Sequence, residues 1–144
     1  MTHLIPAVGT HAVAFGLSSE LLEAALGKPK AIQTLGDVPG YPSGRRRLDY
    51  PACSVLLTRE RGVLAITFDA QTQPLMLWGQ EIQGMSESEL QSHIEAHGHT
   101  ADLKTQDPWG DAELEALELG LMAWFVEGKL ESVELHKPGW RSGP

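Results

Sequence analysis

The chain has 144 residues, a single cysteine and a net charge of −8 at pH 7. This length is typical of one domain, and a lone cysteine, Cys53, excludes an internal disulfide and a multi-cysteine zinc site. Residues 73–144 hold 4 basic and 13 acidic side chains, against 7 and 6 in residues 1–72, so the acidic second half disfavours nucleic-acid binding and favours a basic protein partner.

The N-terminal segment has no signal of export. No Lys or Arg precedes its apolar residues, which Pro6 and Gly9 interrupt. No segment of the chain approaches the ~20 apolar residues that span a bilayer. We therefore expect a cytoplasmic protein that does not associate with membranes.

Two short helices are predicted. The first covers 18–26, where Ser18 can cap the N-terminus and Gly27 ends the helix. The second covers 86–97, where Ser86 and Glu89 have the spacing of a capping box and Gly98 follows the last turn. In both segments the leucine and isoleucine side chains recur at helical spacing, which indicates one buried face each.

Between the helices, the pattern predicts strands. Two β-branched runs in 54–68 flank the turn Arg59–Gly62, which is typical of a hairpin, and alternation places Leu64, Ile66 and Phe68 on the core side. A further strand, broken by a glycine, is expected in 74–83. Residues 36–47 are dense in Gly and Pro and predict an exposed loop, whose three arginines are either solvated or a docking point for an acidic group.

After the second helix, alternation predicts a strand from Leu117 to Phe125, then a turn at Glu127-Gly128 and a strand over 129–135. Residues 111–118 fit a helical turn as an alternative. We expect the tail 138–144, with Trp140, to be frayed.

The helix caps and hairpins recur in the two parts of the chain, which suggests a weak internal repeat of 5–72 and 73–137 within one domain. Each part then consists of a helix followed by a β-hairpin. The predicted fold class is α+β, with the strands of both halves in one antiparallel sheet and both helices packed on one face of it. The opposite face would be free for a partner.

Several short motifs along most of the chain resemble those of small bacterial immunity proteins. These motifs are Ile5-Pro6, Gly9, Phe15-Gly16-Leu17-Ser18, Leu26-Gly27-Lys28-Pro29, Asp49-Tyr50-Pro51, Gly120-Leu121, Trp124-Phe125 and Gly128-Lys129-Leu130. The helix-plus-sheet repeat also resembles that of the beta-lactamase inhibitor protein. The resemblance implies a non-enzymatic inhibitor without cofactor or metal, which neutralises a toxin of a contact-dependent or type VI secretion system by covering its active site or substrate path.

The resemblance defines no binding residues, so the candidates come from physical chemistry. Buried aromatic anchors and desolvated charges dominate protein interfaces, and one acidic segment of the second half contains a tryptophan. The candidate partner-binding residues are Asp107, Trp109, Asp111, Glu113, Glu115 and Glu118. The alternative for Trp109 is a structural turn in which the indole folds back onto the core. Whether the protein is a monomer or a homodimer stays open.

Two other classes of function have candidate residues. His93, His97 and His99 could share a divalent metal in an enzyme, although histidines at the end of a helix also interact favourably with its dipole. Trp78 and Trp124 could form an aromatic platform for a glycan or another small molecule on an exposed sheet face. Cys53 is either a nucleophile or, as is usual for a cysteine beside an apolar strand, a core residue.

Overall fold

The computed structural model describes residues 2–106 and 111–140, which form two α-helices and eleven β-strands. The helices are α1 (Ser19–Leu26) and α2 (Glu87–Ala96). The strands are β1 (Thr2–Leu4), β2 (Ala31–Thr34), β3 (Arg46–Asp49), β4 (Cys53–Thr58), β5 (Gly62–Asp69), β6 (Leu75–Leu77), β7 (Gln80–Glu81), β8 (Asp102–Gln106), β9 (Ala112–Ala116), β10 (Leu121–Val126) and β11 (Lys129–His136). The chain is therefore an α+β protein, as the sequence predicted.

Both helices begin where their capping residues predicted. The Ser18 hydroxyl accepts a hydrogen bond from the Leu21 amide at the start of α1. At the start of α2 the Glu89 amide donates to the Ser86 hydroxyl, and the Ser86 amide donates to the Glu89 carboxylate, which completes the capping box. Each helix is only two to three turns long, so these caps satisfy a large share of its unpaired amides.

Eight strands form one large sheet in the order β2-β3-β4-β5-β11-β10-β9-β8, and every pair in it is antiparallel. Consecutive strands lie side by side in each half of this sheet, and the halves meet where β5 pairs with β11. A smaller sheet contains β6, with β1 parallel on one side and β7 antiparallel on the other.

One face of the large sheet is buried. A single row across six strands, with one residue from each, is fully or almost fully buried; it consists of Leu48, Val55, Ile66, Leu135, Leu121 and Ala116. The same core cluster includes Leu22 of α1, Leu90 and Ile94 of α2, and Leu75 of the smaller sheet. The helices and the smaller sheet therefore cover this face. The opposite face of the large sheet is named the open face.

The strand count and sheet arrangement differ from the prediction of two helix-and-hairpin halves in one sheet. Each helix is followed by four strands of the large sheet rather than by a hairpin, and the strands predicted in 74–83 lie in the separate small sheet. The missed strand β2 is exposed at every residue, so it lacks the alternation on which strand prediction depends. The predicted loop 36–47 also ends early, because β3 begins at Arg46.

The segment before β10 also differs from the prediction. Residues 112–116 form a strand, and Leu117–Leu119 form a 3-10 turn that Gly120 ends in a left-handed conformation. Ala112, Leu114 and Ala116 are buried and alternate with half-buried glutamates, which is strand periodicity built with small residues. The predicted strand therefore starts at Leu121 rather than at Leu117.

The last described residues are packed rather than frayed. The Trp140 side chain is only 5% exposed, and its ring lies 5.6 Å from that of Tyr41 and 6.1 Å from that of His136. The Trp140 carbonyl accepts a hydrogen bond from Arg61, and the Lys137 amide donates to the Leu64 carbonyl. Residues 137–140 therefore cover one end of the open face.

Neither helix of the described residues has the length and apolarity needed to cross a membrane.

Candidate functional site

The open face of the large sheet has an acidic row that crosses all eight strands. In register from one edge to the other, it consists of Ala31, Asp49, Ser54, Thr67, Glu134, Met122, Glu115 and Asp102. Four of these eight side chains are carboxylates and none is basic. Because strand side chains alternate between faces, this row is the direct counterpart of the buried apolar rows on the other side.

A second row beside it adds a tryptophan and two more carboxylates. Trp124 of β10 pairs with Glu113 of β9 on one side and with Ser132 of β11 on the other, and Ser132 pairs with Asp69 of β5. Trp124 is half-buried, although the core cluster on the other face does not include it. Its indole therefore lies on the open face, beside the carboxylate of Glu113.

The strands β10 and β11 are irregular at this point. Trp124 pairs with Ser132 and the next residue, Phe125, pairs with Leu130, so Glu131 has no partner in β10. Such a bulge bends the strand and redirects a side chain. The exposed Glu131 lines the cavity in front of Trp124.

This cavity has a volume of about 510 Å³ and is called the Trp124 cavity. Its lining includes Asp111, Glu113, Trp124, Val126, Glu131 and Ser132. A second cavity of about 310 Å³ shares Glu131 and Ser132 with it and continues past Asp69 to Tyr50. The two cavities form a groove over five neighbouring strands, from β4 to β9. Its charged lining residues are all acidic.

Two basic side chains near the edges of the large sheet lie beside carboxylates of the acidic row. The Arg47 guanidinium lies 3.2 Å from the Asp49 carboxylate, and the Lys104 ammonium lies 3.9 Å from the Glu115 carboxylate. Within residues 2–106 and 111–140, neither Glu113 nor Glu131 has an ion pair with a basic side chain. These two carboxylates in the middle of the sheet are therefore not compensated by a direct ion pair.

Four of the six residues predicted to bind a partner are described, and they have different surroundings. Glu113 and Glu115 lie on the open face of β9. Asp111 lines the Trp124 cavity, and its carboxylate accepts a hydrogen bond from the Glu127 amide. Glu118 instead accepts from the Thr100 amide and lies 3.5 Å from the His99 ring nitrogen. Asp107 and Trp109 lie outside the described residues.

The sequence prediction assigned the aromatic anchor to Trp109 and missed the place of Trp124 beside the acidic strands. The signal was present in the alternation of 121–126. Leu121, Ala123 and Phe125 belong to the core cluster, which leaves Trp124 on the same face as the glutamates of β9. A half-buried tryptophan on the polar face of an amphipathic strand is an aromatic group that packing in the main core does not explain.

The histidine cluster has a different geometry from a metal site. The rings of His97 and His99 stack on Trp78, with centroids 4.3 and 5.5 Å from that of the indole. A His93 ring nitrogen lies 2.9 Å from the Leu77 carbonyl oxygen, and a His97 ring nitrogen lies 3.0 Å from the His93 carbonyl oxygen. Within the part of the chain that is described, no three His, Cys, Asp or Glu side chains are placed to hold a metal ion. These histidine contacts instead pack the end of α2 against Leu77 and Trp78, at the end of β6.

Trp78 and Trp124 do not share a platform. Trp78 follows β6 of the smaller sheet and packs against the core, whereas Trp124 lies on the open face of the large sheet. These two side chains therefore do not lie on one exposed sheet face.

The other candidate residues, Cys53 and the arginines at 45–47, have contacts within the protein. Cys53 packs against the core cluster, and burial raises the pKa of its thiol, which keeps it protonated and disfavours a nucleophilic role. Arg45 donates to the Gly36 carbonyl and lies over the Tyr41 ring at 5.1 Å. Two of the three arginines at 45–47 therefore have partners within the protein, since Arg47 lies beside Asp49.

Comparisons of the chain with protein-family models, with curated proteins and with solved structures gave no match.

Proposed function

We propose that this protein binds a basic protein on the open face of its large sheet. The observation that carries the proposal is the acidic row, which has four carboxylates and no basic residue among eight strands. A surface of one sign attracts a partner of the other sign and repels nucleic acid. The opposite face is covered by the protein's own helices, so the open face is the large sheet surface available to a partner.

The proposed partner is a bacterial toxin, and the proposed biological role is that of a cytoplasmic immunity protein. The resemblance of the sequence motifs to immunity proteins is the support for this part. An inhibitor of this kind needs no catalytic group. It needs a rigid surface that covers an active site or a substrate path, and a sheet held by a continuous core on one side is such a surface.

The test is co-expression with the protein encoded by the adjacent gene. We expect a stable complex and protection of cells from the toxicity of that protein. Replacing Asp102→Lys and Glu115→Lys together should weaken the complex by about tenfold or more, because two carboxylates of the acidic row are reversed. The affinity of the unmodified protein should also fall as salt is added.

The matched control reverses two charges on the helix side, with Glu23→Lys and Glu95→Lys, both of which are exposed residues of the helices. This variant has the same net charge as the first and should bind normally. Equal weakening in both variants would mean that only overall charge matters. A neighbouring protein that is neither bound nor toxic would reject the immunity role.

A further inference from the structure

We infer that the Trp124 cavity receives an arginine side chain of the bound protein. This inference rests on the proposed function, since it names the partner group that the open face recognises. It concerns a place on that face with three properties together: an aromatic wall, uncompensated carboxylates and a volume that admits a side chain.

The aromatic wall is the first element. Trp124 is half-buried and lies in register between Glu113 and Ser132, so neighbouring strands on both sides limit its movement. Val126, two residues further along the same strand, adds apolar surface to the cavity. A tryptophan face is the strongest aromatic acceptor for a cation. Among cationic side chains arginine fits this wall best, because the guanidinium plane stacks on the ring while the alkyl stem packs on apolar surface.

The carboxylates are the second element. Glu113 and Glu131 lie on opposite sides of Trp124, on β9 and β11, and the bulge directs Glu131 towards the cavity without a partner residue in β10. In the described part of the protein no basic side chain pairs with either of them. A guanidinium has five N–H donors in a fixed fork, so it can stack on Trp124 and donate to carboxylates on both sides. A lysine ammonium has no plane to stack.

The volume is the third element. About 510 Å³ exceeds what one side chain fills, and the cavity continues into the groove that passes Asp69. The backbone of a partner segment can therefore lie along the groove while the arginine enters the cavity. An anionic group is disfavoured at this position by the same carboxylates.

The first experiment uses the isolated protein and three peptides, acetyl-Gly-X-Gly-amide, in which X is arginine, lysine or citrulline. Citrulline has the shape of arginine without its charge. The readout is the indole N–H signal of Trp124 in an NMR spectrum, assigned by its loss in Trp124→Phe. We expect the arginine peptide to shift this signal with an affinity on the order of millimolar, the lysine peptide to shift it less, and the citrulline peptide to leave it unchanged.

Replacing Glu113→Gln and Glu131→Gln together removes both charges and keeps the shape of the side chains. This variant should show no shift of the Trp124 signal with the arginine peptide. The pair Glu23→Gln and Glu95→Gln on the helices is the control and should bind the arginine peptide normally. Equal shifts with arginine and citrulline, or a shift that persists in the first variant, would overturn the inference. A signal that responds to a monosaccharide such as glucose and not to arginine would make the cavity a sugar site instead.

A second measurement separates this inference from the proposed function. In the complex with the adjacent gene product, Trp124→Ala should weaken binding by about tenfold or more, as expected for a central aromatic anchor. If Trp124→Ala binds normally while the Asp102→Lys and Glu115→Lys variant does not, the open face is the interface and the arginine inference is wrong. If no complex forms but the arginine peptide still binds, the cavity stands and the proposed function fails.

Discussion

Gly62 shows how closely two backbones approach in this protein. It has a φ of +71°, and a Cβ atom placed on it would lie 2.7 Å from the Leu17 carbonyl oxygen and even closer to Gly16. The approach has a cause, because Gly16 and Leu17 exchange hydrogen bonds with Val63. Only glycine has both the conformation and the absence of a side chain that this position requires.

Replacing Gly62→Ala should therefore destabilise the protein by more than the ~1–2 kcal/mol of a left-handed alanine alone. Gly128 is the matched control, since its φ is +78° and a Cβ atom there would have no neighbour within 4 Å. Gly128→Ala should lower the free energy of unfolding only by the ~1–2 kcal/mol cost of a left-handed alanine. The measurement is urea unfolding of both variants; similar losses in the two would show that the Leu17 contact relaxes without cost.

At the same scale, some residues were predictable and others were not. Ile66 and Phe68 belong to the core as their alternation predicted, but Leu64, which is fully buried, lies outside the main core cluster. A register shift opposite Leu56 and Leu57 interrupts the alternation there. A bulge inserts one residue without a sequence signal of its own, so the side chains before it change faces unpredictably.

Among the elements, α2 is the one whose start the sequence predicts best. Ser86→Ala removes the hydroxyl that accepts from the Glu89 amide and should cost about 1 kcal/mol of stability. Ser92→Ala is the control, because Ser92 is an exposed residue inside the same helix, where alanine is the better helix former. Ser92→Ala should be neutral or slightly stabilising. Thermal unfolding followed by circular dichroism compares the two, and an equal loss in both would contradict a capping role.

The elements that were missed have short or atypical sequences. The hairpin at Arg59–Arg61 was predictable because β-branched runs flank its turn. In contrast, β3 consists of Arg46, Arg47, Leu48 and Asp49, none of which is among the β-branched and aromatic residues that favour strands. Its place in the sheet comes from pairing with β4 on one side and β2 on the other. Hydrogen bonds to the neighbouring strands therefore determine that this segment is a strand, and the local sequence pattern does not predict it.

For the candidate site, the sequence predicted the charge but not the arrangement. An acidic second half and the glutamates of β9 were both evident, and Glu113 and Glu115 do lie on the open face. The neighbours of Trp124 were not predictable, because Ser132 and Asp69 come from strands that are far apart in the chain and meet only where β11 joins β5. A site built across a sheet depends on the strand order, which periodicity does not encode.

At the scale of the whole molecule, residues 137–140 hold distant parts of the chain together. Trp140 lies between Tyr41 and His136, and its carbonyl accepts from Arg61. Trp140→Ala should cost about 3 kcal/mol, as expected for removal of a buried indole. Trp140→Phe keeps an aromatic ring at this position and should cost less than half as much. Urea unfolding midpoints give the comparison, and a loss below about 0.5 kcal/mol for Trp140→Ala would mean that the segment contributes little to stability.

The strand order also has a consequence for synthesis of the protein. β11 ends at His136, yet it lies in the middle of the large sheet, between β5 and β10. Until the ribosome has released this strand, the nascent chain can form two sheet fragments, each with an unpaired edge where β11 belongs. Such edges pair readily with other chains. A premature stop before residue 129 would therefore produce one truncated chain with two separate sheet fragments. We expect this chain to aggregate rather than to form a shorter working protein.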